Sequence, residues 1–160
     1  FALADNGHAD TAYKMLLNTQ CPSWLYEVRV GATTVWERWD GLDENGECPI
    51  GDDGTDMMIS YNHYASGAVG AFLYRRVLGV EPTEAGYRKF KFAPVVGGGI
   101  TEAEGTVGTP YGVIKADWKI ADGEMTMTVA VPVGTECTVV LPSGEEKVLG
   151  SGEYTVTAKA

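Results

Sequence analysis

The chain has 160 residues, 44% of them hydrophobic, and a formal net charge of −10 from 22 acidic and 12 basic side chains. That length suits one domain or two small ones, and the apolar share argues against disorder. The acidic balance argues against nucleic acid and anionic membranes as partners, and no apolar run approaches the roughly 20 residues a membrane span needs.

In chain order, Phe1-Ala2-Leu3-Ala4 reads as the last turn of a helix stopped by Gly7. With no initiating Met before it, the chain reads as a piece of a longer protein, so its compartment is not legible. Ala9, Ala12, Tyr13, Leu16 and Leu17 recur at helical spacing and predict a helix from about His8 to Asn18, with His8 at its exposed start. Pro22–Val30 is expected to be irregular or a short strand, with Leu25–Val30 alternating weakly. The loop after it carries Asp40, Asp43, Glu44, Glu47, Asp52, Asp53 and Asp56 with no base among them, the composition of a solvated loop. Asp43, Asn45 and Gly46 would fit positions 3, 5 and 6 of a calcium loop, but Gly41 at position 1 and Asp52 at position 12 break the ligand pattern.

Ser60 is expected to cap a second, longer helix whose stripe is Tyr64, Ala65, Ala68, Val69, Phe72, Leu73 and Val77. Arg75 and Arg76 favour its C-terminal end, Gly79 fits the position after it, and Pro82 prevents continuation. The period then changes from 3.6 to 2. This predicts a helical part over residues 1–81, a linker over 82–86 and a β-domain over 87–160. Strands are expected over Tyr87–Ala93, Ile100–Val107, Ile114–Ile120, Met125–Val131, Thr138–Leu141, Val148–Leu149 and Tyr154–Thr157, with an Asp122-Gly123 hairpin. Short strands at this spacing suggest an antiparallel sandwich. Cys21, Cys48 and Cys137 show no metal-ligand spacing and are expected as reduced thiols, with a Cys21–Cys48 bridge as the alternative. No metal or other cofactor is expected.

The stretch with chemical content is Gly31–Asp40, GATTVWERWD. Two tryptophans around a carboxylate suit sugar chemistry: indoles cover the apolar face of a pyranose, and a carboxylate near them can accept a proton in a water-poor site. The same residues also read as a Glu37–Arg38 surface pair with Trp36 and Trp39 anchoring a loop. His63 alone reads as a capping or packing residue.

GATTVWERWDG, followed by SYNHYASGAVGAFLYR and by YRKFKFAPVVGGGITEAEGTVGTPYGVIKADWK, resembles the bacterial α-L-rhamnosidases of glycoside hydrolase family seventy-eight. The resemblance implies the last helices of an (α/α)₆ catalytic barrel followed by a C-terminal antiparallel β-sandwich. It implies an inverting hydrolase acting on rhamnose-containing glycosides. It places Glu37 at the general base and His63 at a contact to the rhamnose hydroxyls, with Trp36 and Trp39 as pocket walls or supports. The family's general acid comes from a segment that no part of this chain matches, so the chain alone is expected to be inactive. Its open helical side is expected to need either the missing barrel or a second copy of itself. The competing reading is a non-catalytic carbohydrate-binding or structural sandwich with a helical extension. A related (α/α)₆ glycosidase acting on another deoxy-sugar stands beside it.

Overall fold

The computed structural model describes residues 1–51, 54–55 and 57–160. The chain divides into two compact units, one formed by Ala2–Gly70 and the other by Phe1 with Ala71–Ala160. Among the described residues no helix is long and apolar enough to cross a membrane.

The first unit holds short helices: α1 (Ala2–Asp5), α2 (Ala9–Leu16), α3 (Trp24–Arg29) and α4 (Tyr64–Gly67). The helix α2 follows the apolar stripe read from the sequence and fully buries Tyr13, with exposed His8 at its N-cap. The expected strand over Leu25–Val30 is instead α3. Buried Ser23 decides it: its Oγ accepts the Tyr26 N–H at 3.0 Å, capping the helix. Six residues are too few for a period of 3.6 to be told from one of 2.

The second long helix is also revised. It starts at Tyr64, with His63 rather than Ser60 at the N-cap and no side-chain cap. It then runs through α5 (Val69–Phe72) into a π-helical turn, Leu73–Val77, closed by Leu78 N–H donating to the Leu73 carbonyl at 2.8 Å. The wider turn rotates the residues after it away from a strict helical stripe. Of the seven apolar positions expected on one buried face, Phe72 and Val77 are buried, while Tyr64 is 90% exposed and Leu73 43%. Gly79 ends the helix as expected, at φ +91, where a Cβ would meet the Pro94 nitrogen at 2.4 Å. Only glycine suits both that conformation and that approach.

The second unit carries β1 (Val80–Pro82), β2 (Lys89–Phe92), β3 (Glu102–Thr109), β4 (Gly112–Ala121), β5 (Glu124–Val131), β6 (Glu136–Val140), β7 (Glu146–Leu149) and β8 (Gly152–Lys159). They form two four-stranded sheets, ordered β1-β2-β6-β7 and β3-β4-β5-β8. Phe90, Phe92, Cys137 and Val139 of the first meet Ile114, Trp118, Met125, Met127 and Val129 of the second in one buried cluster. The alternation read from β4 and β5 is the burial seen, and Asp122 and Gly123, at φ 51 and 77, make the hairpin between them.

The sandwich differs from the expected all-antiparallel one in a single ladder: β2 and β6 run parallel. Between them the chain crosses to the other sheet for the β3–β5 meander and returns in the same direction, the long excursion a parallel pair requires. The segment Val80–Pro82, expected just before and at the linker, is a strand paired with β2, and Tyr87 lies in a 3₁₀ turn rather than a strand. All three cysteines are free, and burial pushes the Cys137 thiol up to about 12.

Trp118 of β4 is 1% exposed, and its indole N–H donates to the Val77 carbonyl at 2.9 Å, at the end of the π-helical turn. Trp118→Phe leaves that carbonyl without its donor in a dry place. The expected loss is about 1–3 kcal/mol from the orphaned acceptor, beyond any packing loss. It is read as a lower urea midpoint at unchanged slope.

Candidate active site

The two stretches singled out in the sequence are hydrogen-bonded to each other. Val35 accepts the His63 N–H at 2.8 Å, and the Glu37 N–H donates to the Ser60 carbonyl at 2.8 Å. The Ser60 N–H returns to Oε2 of Glu37 at 2.9 Å, and the Thr34 hydroxyl donates to the Tyr61 carbonyl. This strand-like pairing explains why Ser60 does not cap a helix: both its backbone groups are committed to Glu37.

Glu37 itself is exposed, with one carboxylate oxygen fixed by the Ser60 amide. Trp36, the preceding residue, is 3% exposed and packs edge-on against Tyr61 at a centroid distance of 5.4 Å. The two indoles therefore do not enclose the carboxylate within this chain, because neighbouring residues of an extended segment point to opposite sides. Trp39 is half-buried and edge-on to Trp24 at 4.9 Å, and the Trp24 indole N–H donates to the Ser66 carbonyl at 3.3 Å. Glu37, Trp39, Arg38, Asp40, Cys21, Pro22 and Ser66 line an open cavity of about 470 Å³; Trp36 and His63 do not line it. His63 stacks on Tyr64 at 5.7 Å, and its Nδ1 is buried with no hydrogen-bond partner among the described residues.

Arg38 does not pair with Glu37. Its guanidinium forks onto Asp40, Nε to Oδ1 at 3.0 Å and Nη2 to Oδ2 at 2.7 Å, and Nη1 reaches the Met57 sulfur at 3.2 Å. The Arg38 hydrogen bonds hold the Asp40 carboxyl below its ordinary range, so Asp40 is an ionised group. Two tyrosine hydroxyls clamp the following residues: Tyr61 donates to the Gly41 carbonyl and Tyr26 to the Leu42 carbonyl, each at 3.0 Å. In the acidic loop Asp43 accepts the Asn45 and Glu47 amides at 2.8 and 2.9 Å, and its carboxyl is held low chiefly by the Glu47 amide. Asp52, Asp53 and Asp56, and with Asp52 the last position of the calcium pattern, lie outside the described residues.

Residues 1–77 match the family described as bacterial alpha-L-rhamnosidase 6 hairpin glycosidase domain, and residues 79–155 match the bacterial alpha-L-rhamnosidase C-terminal domain. This chain belongs to the bacterial α-L-rhamnosidase family. It is 38% identical over 141 residues to an α-L-rhamnosidase of Streptomyces avermitilis and 36% identical over 148 residues to one of Formosa agariphila. Those matches take in 88% and 92% of this chain but 13% and 15% of the relatives, so the chain spans about a seventh of their length. Among solved structures, the native α-L-rhamnosidase of Aspergillus terreus superposes with a TM-score of 0.87 at 39% identity, over 97% of this chain and 18% of that one. The Streptomyces avermitilis enzyme complexed with L-rhamnose gives 0.85 at 33% identity, over 98% and 17%.

The Trp36 side of this segment also rests on a buried carboxyl that the sequence pattern does not mark out. Glu27, on α3, is 2% exposed; its Oε2 accepts the Trp36 N–H at 3.2 Å, and its Oε1 is buried without a partner among the described residues. The Pro22-Ser23 start of a helix is the one available signal, since only a helical α3 turns Glu27 inward. Burial raises the Glu27 carboxyl above its ordinary 4.5, opposed by the Trp36 amide. The folded state therefore holds this proton more tightly than the unfolded one, and the stability it adds below pH 4.5 is lost as pH rises through the higher folded value. Chemical unfolding of wild type and Glu27→Gln at a series of pH values should show this loss in wild type only, with the difference between the two curves flat below pH 4.5.

Proposed function

We propose that the chain is the C-terminal part of an inverting α-L-rhamnosidase hydrolysing terminal α-L-rhamnosides, with Glu37 as the general base. The observation that carries this reading is the Glu37 carboxylate itself. One oxygen is anchored by the Ser60 amide, and the group stands at an open cavity beside Trp39 on a segment bonded to the His63 segment. An inverting hydrolase needs a carboxylate held still and aimed at a water, about 6.5–9.5 Å from an acid on the other side of the glycosidic bond. With Oε2 committed to an amide, Oε1 takes the water's proton. Arg38, engaged by Asp40, does not compete for that carboxylate.

The acid comes from elsewhere in the parent protein. Asp40, the nearest carboxyl in sequence, is unsuited, because a general acid must carry a proton and Arg38 keeps Asp40 ionised. Trp36 supports the base from beneath, Trp39 forms a cavity wall, and His63 contacts sugar hydroxyls once the barrel closes around it. Residues 1–81 are the last part of the (α/α)₆ barrel in this reading. The helical unit exposes Val28 (63%), Met58 (100%) and Tyr64 (90%), apolar surface of the kind that other chain covers. Its partners are thus the rest of the barrel or, in its absence, a second copy of this unit. A carbohydrate-binding module would present coplanar rings on a sandwich face, whereas Phe90, Phe92 and Trp118 are core.

In the full-length parent, Glu37→Gln keeps the volume but cannot accept the proton. Turnover should fall on the order of 10²–10⁴-fold with substrate binding largely retained. His63→Ala should weaken binding as well. Steady-state kinetics on both variants, with proton NMR of the first-formed anomer, checks this: normal turnover of Glu37→Gln, or a retained anomer, removes Glu37 as the base. The 160-residue chain by itself should hydrolyse no aryl α-L-rhamnoside at a measurable rate, and a continuous chromogenic assay that found robust turnover would place the acid within it.

A further inference from the structure

The segment Val35–Glu37 is held on two edges, and the second edge is not a strand. On one edge the Val35 carbonyl and the Glu37 N–H face the Ser60–His63 backbone. Backbone groups of an extended segment alternate in direction, so the Trp36 N–H faces the other way. There the carboxyl of Glu27, in place of a backbone carbonyl, accepts it at 3.2 Å. Glu27 holds the start of the same turn too, since its own carbonyl accepts the Ala32 N–H at 2.9 Å. One residue of α3 thus grips both ends of Ala32–Trp36, and α3 is itself fixed by the buried Ser23 cap.

We propose that Glu27 is a positioning residue for Glu37, its side-chain oxygen standing where a neighbouring strand's carbonyl would be and fixing the peptide that leads into the base. The proposal rests on the reading of Glu37 as the base. A buried carboxyl is an expensive way to hold one amide: Glu27 is 2% exposed and Oε1 has no partner among the described residues, so the group is retained against its desolvation. An apolar side chain of the same length would relieve that cost but leave the Trp36 N–H, also buried, without an acceptor. The Val35–Trp36 peptide would then be held on one edge only, through the Val35 carbonyl's bond to the His63 N–H, and Glu37 is the next residue. The function of Glu27 is therefore geometric: it requires an acceptor at that point and no negative charge. Burial, which favours the protonated form, is compatible with this.

The test uses three substitutions in the full-length parent. Glu27→Gln keeps an acceptor oxygen in place, Glu27→Asp withdraws it by one methylene, and Glu27→Leu removes it at similar length. Misplacement of a reacting group by an ångström can cost about 10²-fold. The expected result is a fall in kcat of about 10–10²-fold in Glu27→Leu with KM within about twofold of wild type, a smaller fall in Glu27→Asp, and near-normal kcat in Glu27→Gln. Hydrogen exchange followed by mass spectrometry should show faster exchange at the Trp36 amide in Leu and Asp and wild-type exchange in Gln. If the Leu variant does not fold, the Asp and Gln variants carry the same contrast. Unchanged Trp36 exchange in Glu27→Asp and Glu27→Leu overturns the tether, as does a Gln variant that loses as much kcat as the Asp one. Glu37→Gln, assayed in parallel, separates the two readings. If its turnover is normal the base assignment fails and the positioning role with it, while the exchange data still report whether the tether exists.

Discussion

The helical unit depends on the backbone pairing of Val35–Glu37 with Ser60–His63. It joins two stretches more than twenty residues apart in sequence and fixes where the carboxylate of Glu37 sits. The pairing is short, and its neighbours make it rigid. Tyr26 and Tyr61 hydroxyls fix the carbonyls that follow Asp40, Trp36 packs on Tyr61, and Glu27 receives the amide on the far side. Each of the three hydrogen bonds satisfies a backbone group that burial would otherwise make costly, and the ring contact adds packing, so few alternative paths remain for the chain between Ala32 and Leu42.

Electrostatics around that segment follow from who pairs with whom. Arg38 is next to Glu37 in sequence, yet its planar fork closes on Asp40, where two parallel hydrogen bonds outweigh one contact to a neighbour. The cavity therefore contains a neutralised Arg–Asp pair beside a carboxylate that bonds an amide rather than a cation. The Asp43 turn folds the acidic loop back on itself, and Glu44 meets Arg29 of α3 at 2.7 Å. Exposed pairing of this kind contributes little stability.

The sandwich is a different kind of object. Its strands bury alternate residues in one cluster, and its outer faces carry pairs such as Lys91–Glu146 and Lys119–Glu102. The Trp118 bond to Val77 ties the meander to the turn that precedes β1. The parallel β2–β6 ladder binds the first strand pair to the last, with the whole β3–β5 meander between them in sequence.

By itself the sequence determined the elements whose period is long or whose punctuation is strict. The helix at Ala9–Leu16, the alternation of Ile114–Trp118 and Met125–Val131, the Asp122-Gly123 hairpin and the Gly79 stop were all legible, because each is fixed by neighbours within a few residues. The ordered strings around Glu37 and His63 were legible as a family. What only the tertiary structure decided is everything that depends on partners distant in sequence. Leu25–Arg29 is helical because Ser23 is buried as its cap, Ser60 is strand-like because Glu37 takes both its backbone groups, and β6 is parallel because of where the chain returns. Glu27 is the sharpest case. In sequence it is an ordinary acid on a weakly patterned stretch, and its place beneath Trp36 exists only once α3 and the Ala32–Trp36 turn have packed together. Local preference differs by tenths of a kcal/mol per residue, whereas a buried amide left without an acceptor costs about 1–3 kcal/mol, and at such positions the second effect wins.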